Sequence, residues 1–292
     1  MDVAVQIPDP SSVHLELDSQ AESVALVRAM LAGVGELAGF EGELLDELNT
    51  TVSEACNNVV KHAYADGAGP LIVNLTADTG CVGVTVRDRG IGLPSADVEA
   101  EVAADELGGV GIPLISALAD RAEFRTHPEG GTEVRIAFSR DLSELGDRWR
   151  VPEDPEAAPL FGHSGDVVGT LAPVNLLGGV LGRMARLLAA RARFSLERFS
   201  DLYLLFDQLG YHAALRARTP ALTFALSAET RRLELELGPI DGKRDGSGRT
   251  EWVDPPANLG VLADELTVEP VEDGLLLRVV VGGAGADSAR RN

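Results

Sequence analysis

Residues 51–64 read TVSEACNNVVKHAY, and this stretch constrains the chain most strongly. Its apolar residues recur at spacings of three and four, which predicts an amphipathic helix with one face against a core. They are Val52, Cys56, Val59 and Ala63. Glu54 and Asn58 are four residues apart and share another face, where a carboxamide oxygen can ligate Mg²⁺ and a carboxylate can accept a proton. An isolated pair of this kind is typical of a solvated surface, so its meaning depends on the rest of the chain.

Three glycine-containing stretches follow. RDRGIGLP, over residues 87–94, comes directly after the alternating strand pattern of residues 82–86. LGGVGIPLI, over residues 107–115, leads into an apolar helix, and EGGTEVRI, over residues 129–136, leads into a strand. Each stretch alone is ordinary turn chemistry. Their order along the chain, E-x-x-x-N, D-x-G-x-G, G-x-G and then G-G-T, is more informative.

This order resembles the N, G1, G2 and G3 boxes of the GHKL (Bergerat-fold) ATPases. The E-A-x-x-N form followed by H-A-Y is most similar to the anti-sigma-factor serine/threonine kinases of bacterial sigma-factor switches. The resemblance covers roughly residues 10–140 and implies an α/β (α+β) two-layer sandwich of the Bergerat type. It also implies ATP and Mg²⁺ as cofactors, and a sigma factor and a STAS-type anti-sigma-factor antagonist as partners.

The resemblance implies a role for residues of each box. Glu54 would be the catalytic group that positions the acceptor hydroxyl, and Asn58 would be the metal ligand. Asp88 would accept a hydrogen bond from the adenine amine. The remaining nucleotide-binding residues would be Gly90, Gly92, Gly109, Gly111 and Thr132. Thr132 would donate its hydroxyl to a phosphate oxygen; without the resemblance it is a strand-opening residue, and D-x-G-x-G is a β-turn.

The periodicity of residues 1–148 predicts helices and strands in an order that gives a two-layer α/β sandwich. Asp18 or Ser19 is expected to cap the first helix. Residues 95–106 are acidic and alanine-rich, and they occupy the place of the family's mobile lid or form an ordinary surface helix. The expected strands are 13–17, 71–76, 81–87, 122–126 and 133–138, and the expected helices are 21–38, 43–63 and 112–118.

Four segments are predicted along the chain. They are an ATPase-like domain at 1–148, a Pro/Glu-rich linker at 149–165, a second domain at 166–282 and a disordered tail at 283–292. The pattern of strands and helices in the first domain recurs about 150 residues later, which indicates a tandem duplication. The alternative is two unrelated α/β domains.

The second domain lacks the residues that the resemblance assigns to nucleotide. Aligning His212 with His62 places Leu204 at the position of Glu54 and Gln208 at that of Asn58. Aligning the strands places Pro239 at the position of Asp88. We therefore expect a degenerate copy that does not bind ATP.

The composition limits the classes of partner that this protein is expected to bind. The chain has 292 residues, 45% of them hydrophobic, with 25 Lys and Arg against 46 Asp and Glu, for a net charge of −21. Such an acidic surface disfavours direct contact with nucleic acid or an anionic membrane. Cys56 and Cys81 lie in apolar segments and are expected to be reduced. Without a signal-peptide pattern or a long apolar run, a cytoplasmic location is expected.

Two functions remain open, and a third is disfavoured. The first is an ATP-dependent protein serine/threonine kinase that is also an anti-sigma factor. The second is a non-catalytic, ATP-gated module that sequesters a sigma factor or another protein. A sensor histidine kinase is disfavoured because membrane spans and a phosphoacceptor helix pair are lacking. Because a second domain is already tethered by a short linker, we expect a largely monomeric chain with an internal pseudo-dimer.

Overall fold

Contacts divide the chain into a first unit, Met1–Glu156, and a second unit, Ala157–Asn292. The computed structural model describes residues 11–65, 67–78, 80–92, 111–140, 165–216, 221–244, 250–252, 258–271 and 274–282. The predicted lid, most of the predicted linker and the predicted tail lie outside these ranges. The exact limits of the four predicted segments stay a prediction.

The first unit is an antiparallel sheet with helices packed on it. Its elements are β1 (Ser11–Asp18), α1 (Ala21–Ala38), α2 (Glu43–Asn58), β2 (Pro70–Ala77), β3 (Cys81–Asp88), α3 (Gly111–Leu118), β4 (Arg121–Thr126) and β5 (Thr132–Ser139). Within the unit the strand order is β1-β2-β3-β5-β4, and all neighbours are antiparallel. The predicted mixed α/β class is confirmed. The predicted elements lie within two residues of their observed bounds, except that the helix predicted over 43–63 is α-helical only as far as Asn58.

Alternation along β1 explains how the sheet and helices share a core. Val13, Leu15 and Leu17 are buried, whereas His14 and Glu16 between them are partly exposed. Helix α1 packs on β2, α2 packs on β3 and β5, and the two helices pack on each other. The apolar stripe predicted on α2 is fully buried, so the opposite side of that helix is left to carry Glu54 and Asn58.

The N-terminal end of α1 differs from the prediction. Gln20, and not Asp18 or Ser19, occupies the N-cap position, and no side chain caps the helix. Ser23 instead donates its hydroxyl to the Asp18 carbonyl over 2.6 Å. At the other end Gly39 adopts a left-handed conformation with φ of 67°, which ends the helix in the way that glycine commonly does.

Cys56 and Cys81 are both buried, and neither forms a disulfide. Burial raises the pKa of Cys56 to about 12, so this thiol stays protonated at neutral pH. Both thiols thus lie in the core outside any disulfide, in agreement with the expectation of reduced cysteines in apolar segments. Among the described residues, no helix is long and apolar enough to cross a membrane.

In the part of the chain that the structure describes, the second unit has the same succession of elements as the first, with a further hairpin. It contains β6 (Val167–Ala172), α4 (Leu176–Arg191), α5 (Leu196–Arg216), β7 (Leu222–Glu229), β8 (Arg232–Ile240), β9 (Gly242–Arg244), β10 (Thr250–Trp252), α6 (Leu259–Leu262), β11 (Glu265–Val271) and β12 (Gly274–Gly282). Its sheet runs β6-β7-β8-β12-β11, which is the order of the first unit, strand for strand. The pair β9 and β10 forms a separate small hairpin.

One hydrogen bond recurs at the same place in both units. In the first, Asp120 lies just before β4 and accepts the amide of Ser139, at the end of β5, over 2.7 Å. In the second, Asp264 lies just before β11 and accepts the amide of Gly282, at the end of β12, over 2.5 Å. In each unit, therefore, a carboxylate just before the last hairpin accepts a hydrogen bond from the backbone amide at the end of that hairpin.

Helices α4 and α5 pack closely through glycine. A Cβ built on Gly210 would lie 3.0 Å from the backbone nitrogen of Gly178, so the two helix backbones approach each other there. Large apolar residues recur at helical spacing along α4, and all of them are buried except Leu187, which is 41% exposed. The buried ones include Leu176, Leu177, Val180, Leu181 and Met184.

Candidate nucleotide site

Glu54 and Asn58 converge on the first residue of α3. A Cβ built on Gly111 would lie 2.8 Å from Glu54 Oε1 and 3.1 Å from Asn58 Oδ1. Both side chains are partly exposed and are one helical turn apart on α2. The structure thus brings these three predicted residues together, and glycine at 111 leaves room for the two oxygen-bearing side chains.

Asp88 ends β3 and is almost fully buried, with 2% of its surface exposed. Its Oδ1 accepts the Gly90 amide over 2.7 Å and the Thr132 amide over 3.2 Å. The Thr132 side chain also hydrogen-bonds to this carboxylate. One carboxylate is therefore fixed by two separate turns of the chain.

Burial dominates the electrostatics of Asp88. Loss of water raises the pKa of this carboxyl above its ordinary value of 3.8, while the bonds from Gly90 and Thr132 act in the opposite direction. A raised pKa on a buried carboxyl with fixed geometry is typical of a binding or catalytic position.

The backbone of the turn between β4 and β5 lies against the backbone of Asp88. Gly131 has a φ of +86°, and a Cβ there would lie 2.2 Å from the Asp88 carbonyl oxygen, so only glycine fits. Arg87, the neighbour of Asp88, is buried and donates to Glu129 in the same turn over 2.8 Å. These contacts hold the G-G-T turn against the D-x-G-x-G turn.

The D-x-G-x-G turn also packs on Ala63, five residues after the end of α2. A Cβ on Gly90 would lie 2.0 Å from the carbonyl oxygen of Ala63, and Gly92 has a φ of +74°. The Ile91 amide donates to the same Ala63 carbonyl over 3.0 Å. Both glycines are therefore required by close approach or by backbone conformation.

The predicted site residues fall into two clusters. Glu54, Asn58 and Gly111 form one, and the other contains Asp88, Gly90, Gly92 and Thr132. The resemblance assigns Asp88 to the base and Thr132 to a phosphate oxygen, whereas the structure places Thr132 at the Asp88 carboxylate. Gly109 lies outside the described residues.

The donor set of the first cluster fits magnesium better than a transition metal. Glu54 and Asn58 offer oxygen, which Mg²⁺ prefers, and Mg²⁺ commonly takes few protein ligands beside water and phosphate. Across the part of the chain that the structure describes, no group of three or more His, Cys, Asp or Glu side chains is placed to hold a metal ion by itself. Asn58 would hold the ion through Oδ1.

Comparison with known proteins identifies this half of the chain. The family model of the histidine kinase-like ATPase domain matches residues 17–138, which contain both clusters. Residues 17–138 form a histidine kinase-like ATPase domain. The predicted resemblance to GHKL ATPases is thereby confirmed for the first unit.

Similar proteins include serine-protein kinases named RsbW. Those of Bacillus mycoides (strain KBAB4), Bacillus cereus (strain AH187) and Bacillus anthracis (strain A0248) are each 26% identical to this chain over 135 residues. The matches cover 43% of this chain and 84% of each relative. The relatives thus correspond to about one unit of the two.

Sequence reasoning missed one residue of the ATPase domain that contacts the site. Tyr64 accepts the Arg89 amide through its hydroxyl oxygen over 2.9 Å, next to Asp88. The available signal was the H-A-Y segment after the E-x-x-x-N helix, which contributed to the resemblance but received no role.

Proposed function

We propose that this protein binds ATP with Mg²⁺ in its ATPase domain and phosphorylates a serine or threonine of a partner protein. The convergence of Glu54, Asn58 and Gly111 carries this proposal, because it joins a carboxylate, a metal-ligating carboxamide and a helix start. The first amides of a helix favour phosphate, which suits α3 to the phosphate end of a nucleotide. Asp88 would define the adenine end.

Each residue then has a limited task. Magnesium, when bound with ATP, neutralises phosphate charge, and Asn58 would hold it. Glu54 would orient the acceptor hydroxyl and take its proton as that oxygen bonds to the γ-phosphorus and ADP leaves. Asp88 would accept the adenine amine, with Thr132 and Gly90 keeping its carboxylate in place. Thr132 would thereby contribute to recognition of the base through Asp88, in place of the phosphate contact expected from sequence.

The relatives named serine-protein kinases support a protein substrate. By the same similarity, we propose a STAS-type anti-sigma-factor antagonist as the substrate and a sigma factor as a bound partner. A net charge of −21 suits protein partners in the cytoplasm better than nucleic acid.

We further propose that the second unit is a diverged duplicate without a nucleotide site. At an offset of 150 residues, five buried positions of the α2 region coincide with buried positions of helix α5, in the pairs Val52 and Leu202, Ala55 and Leu205, Cys56 and Phe206, Val59 and Leu209, and Ala63 and Ala213. This offset supports the alignment that puts Leu204 at the position of Glu54.

The strand alignment has similar support. Thr223 pairs with Gly238, so Pro239 stands opposite Leu222 in the way that Asp88 pairs with Leu71. Proline supplies no carboxylate at that position.

A second candidate function is an ATP-gated binding module without phosphoryl transfer. The exposed apolar residues of α5 favour it, because Leu196, Leu204 and Leu215 are 87%, 49% and 63% exposed. Apolar surface of this kind often marks protein-binding sites. The two functions differ only in whether the bound phosphoryl group is transferred.

A transfer assay separates them. The full chain is incubated with γ-labelled ATP, Mg²⁺ and a STAS-type antagonist, and phosphoserine or phosphothreonine is mapped by mass spectrometry. The kinase proposal predicts labelled antagonist with wild type and a loss of about 10²–10⁴-fold in rate for Glu54→Gln, with ATP still bound. ATP binding without any labelling by wild type would favour the module, and equal labelling by both proteins would refute the role of Glu54.

A further inference from the structure

The helix that carries Glu54 and Asn58 does not end as an α-helix. Directly after Asn58 the backbone makes a π-helical turn over Val59–Ala63, and Tyr64 follows in extended conformation. Single π-helical turns in α-helices are rare and occur frequently at functional sites. Here the turn brings the end of the helix to the loop that begins at Asp88.

Two groups from this helix end bind that loop. The Ala63 carbonyl accepts the Ile91 amide over 3.0 Å. The Tyr64 hydroxyl oxygen accepts the Arg89 amide over 2.9 Å, and its proton is donated to the Pro70 carbonyl at the start of β2 over 2.6 Å. Tyr64 therefore uses both the donor and an acceptor site of its hydroxyl to join strand and loop.

The surrounding backbone leaves little space for Tyr64 to move. A Cβ on Gly69 would lie 2.3 Å from Tyr64 Cε1, so the ring is packed against the backbone there. Burial raises the pKa of Tyr64 above its ordinary value of 10.0, which keeps the hydroxyl protonated at neutral pH. The bond to Pro70 is thus available throughout the physiological range.

We propose that Tyr64 is a positioning residue for base recognition. It fixes the loop that starts at Asp88 relative to the helix that carries Glu54 and Asn58. The part of the site proposed for the base is thereby held at a fixed position relative to the part proposed for phosphate. This inference rests on the proposed ATP binding and goes beyond it. Tyr64 acts through the Arg89 backbone and not by touching nucleotide.

Removing the hydroxyl has a specific expected effect. Tyr64→Phe keeps the ring against Gly69 but leaves the Arg89 amide and the Pro70 carbonyl without their partner. The Asp88 carboxylate is then less well placed for an adenine amine. A purely structural residue would change thermal stability without changing the preference between bases.

The test measures ATP and GTP affinity of the full-length protein by calorimetric titration with Mg²⁺. For Tyr64→Phe we expect ATP to bind roughly threefold to tenfold more weakly, because the lost bond to the Arg89 amide is the one that holds the Asp88 loop, and the ratio of ATP to GTP affinity to fall. Tyr211→Phe is the matched control, because that side chain lies in the second unit and is 73% exposed. It should leave both affinities unchanged.

Two further measurements connect the effect to Asp88. Hydrogen exchange without nucleotide should be faster in Tyr64→Phe for the peptide that contains Arg89 and Ile91. In a double-mutant cycle, Tyr64→Phe should lose most of its effect on ATP affinity in an Asp88→Asn background. Additive effects, or an unchanged ATP-to-GTP ratio with lowered thermal stability, would overturn the inference while leaving ATP binding intact. Failure of wild type to bind ATP would overturn the proposed function and the inference together.

Discussion

The amide of Thr132 donates to Asp88 Oδ1 over 3.2 Å, which joins the last glycine turn of the ATPase domain to the end of its central strand β3. The Thr132 side chain also bonds to this carboxylate. Asp88 is thereby fixed from the G-G-T turn as well as from its own loop. We infer that the two turns act as one base-binding unit.

This placement predicts how Thr132→Val changes ligand binding. Valine keeps the shape and the backbone amide but removes the hydroxyl that supports Asp88. ATP and adenosine should therefore lose affinity by a similar factor, about threefold to tenfold. Competitive titration with both ligands measures this. Weaker ATP binding with unchanged adenosine binding would show that Thr132 contacts phosphate, as the sequence had suggested.

Asn58→Ala should remove the magnesium dependence of ATP affinity. Wild type is expected to bind ATP more tightly with Mg²⁺ than with excess chelator, and the variant should bind equally in both conditions. Asn57→Ala is the matched control, since it removes the same group from the adjacent position of α2. If the control loses the magnesium effect and Asn58→Ala keeps it, the metal ligand has been misassigned.

Gly90→Ala should destabilise the ATPase domain. A Cβ there would lie 2.0 Å from the Ala63 carbonyl oxygen, so the loop or the helix end must shift, at a cost of about 1–3 kcal/mol in the free energy of unfolding. Gly260→Ala is a suitable control, because a Cβ at that position meets nothing within 4 Å. Chemical denaturation of both variants measures the difference, and equal stability would contradict the observed packing.

Asp88 should make the stability of the nucleotide-free protein depend on pH. Because burial raises its folded pKa above the ordinary 3.8, the folded state binds the proton more tightly than the unfolded chain. Its contribution to the free energy of unfolding therefore increases as pH falls through the folded pKa and levels off near pH 3.8. The Asp88→Asn variant has no titrating group at position 88 and therefore lacks this contribution.

Thermal unfolding of wild type and Asp88→Asn between neutral pH and about pH 4 measures this contribution. Wild type should gain stability relative to the variant as pH falls. A constant difference would show that folding does not shift the pKa of Asp88, and a relative loss by wild type would show that hydrogen bonding and not burial dominates it.

The internal pseudo-dimer proposed from the sequence predicts that the full chain is a monomer. A tether of about 15 residues gives the second domain a millimolar effective concentration, enough to outcompete another chain. Light scattering on the full chain and on residues 1–148 tests this, and we expect the shorter protein to dimerise or aggregate. A stable full-length dimer beside a monomeric 1–148 protein would refute the pseudo-dimer.

Much of the fold could be predicted from periodicity, and the individual site residues from the family that the order of the boxes resembles. Period-three and period-four spacing identified the buried face of α2, and the opposite face then had to carry Glu54 and Asn58. Strand alternation and turn residues located β3, and so placed Asp88 at its end. These features are local in sequence, which is why a single chain reveals them.

Other features depend on contacts between distant segments. The Thr132 bond to Asp88 spans 44 residues and the Tyr64 bond to Arg89 spans 25, so neither has a local signal. The π-helical turn at Val59–Ala63 has the same apolar spacing as an α-helix, and its backbone bonding is therefore invisible in the pattern. Leu187 fits the apolar stripe of α4 by spacing but is exposed, because spacing does not fix the width of the buried face.

Calorimetric titration of the full-length chain with ATP and Mg²⁺ tests the central claim most directly. One site, in the first unit, predicts a stoichiometry near one ATP per chain. Asp88→Asn should weaken binding by about 10–100-fold, because a charge-assisted hydrogen bond to the base is lost. A stoichiometry near two, no binding by wild type, or an Asp88→Asn titration that matches wild type would contradict it.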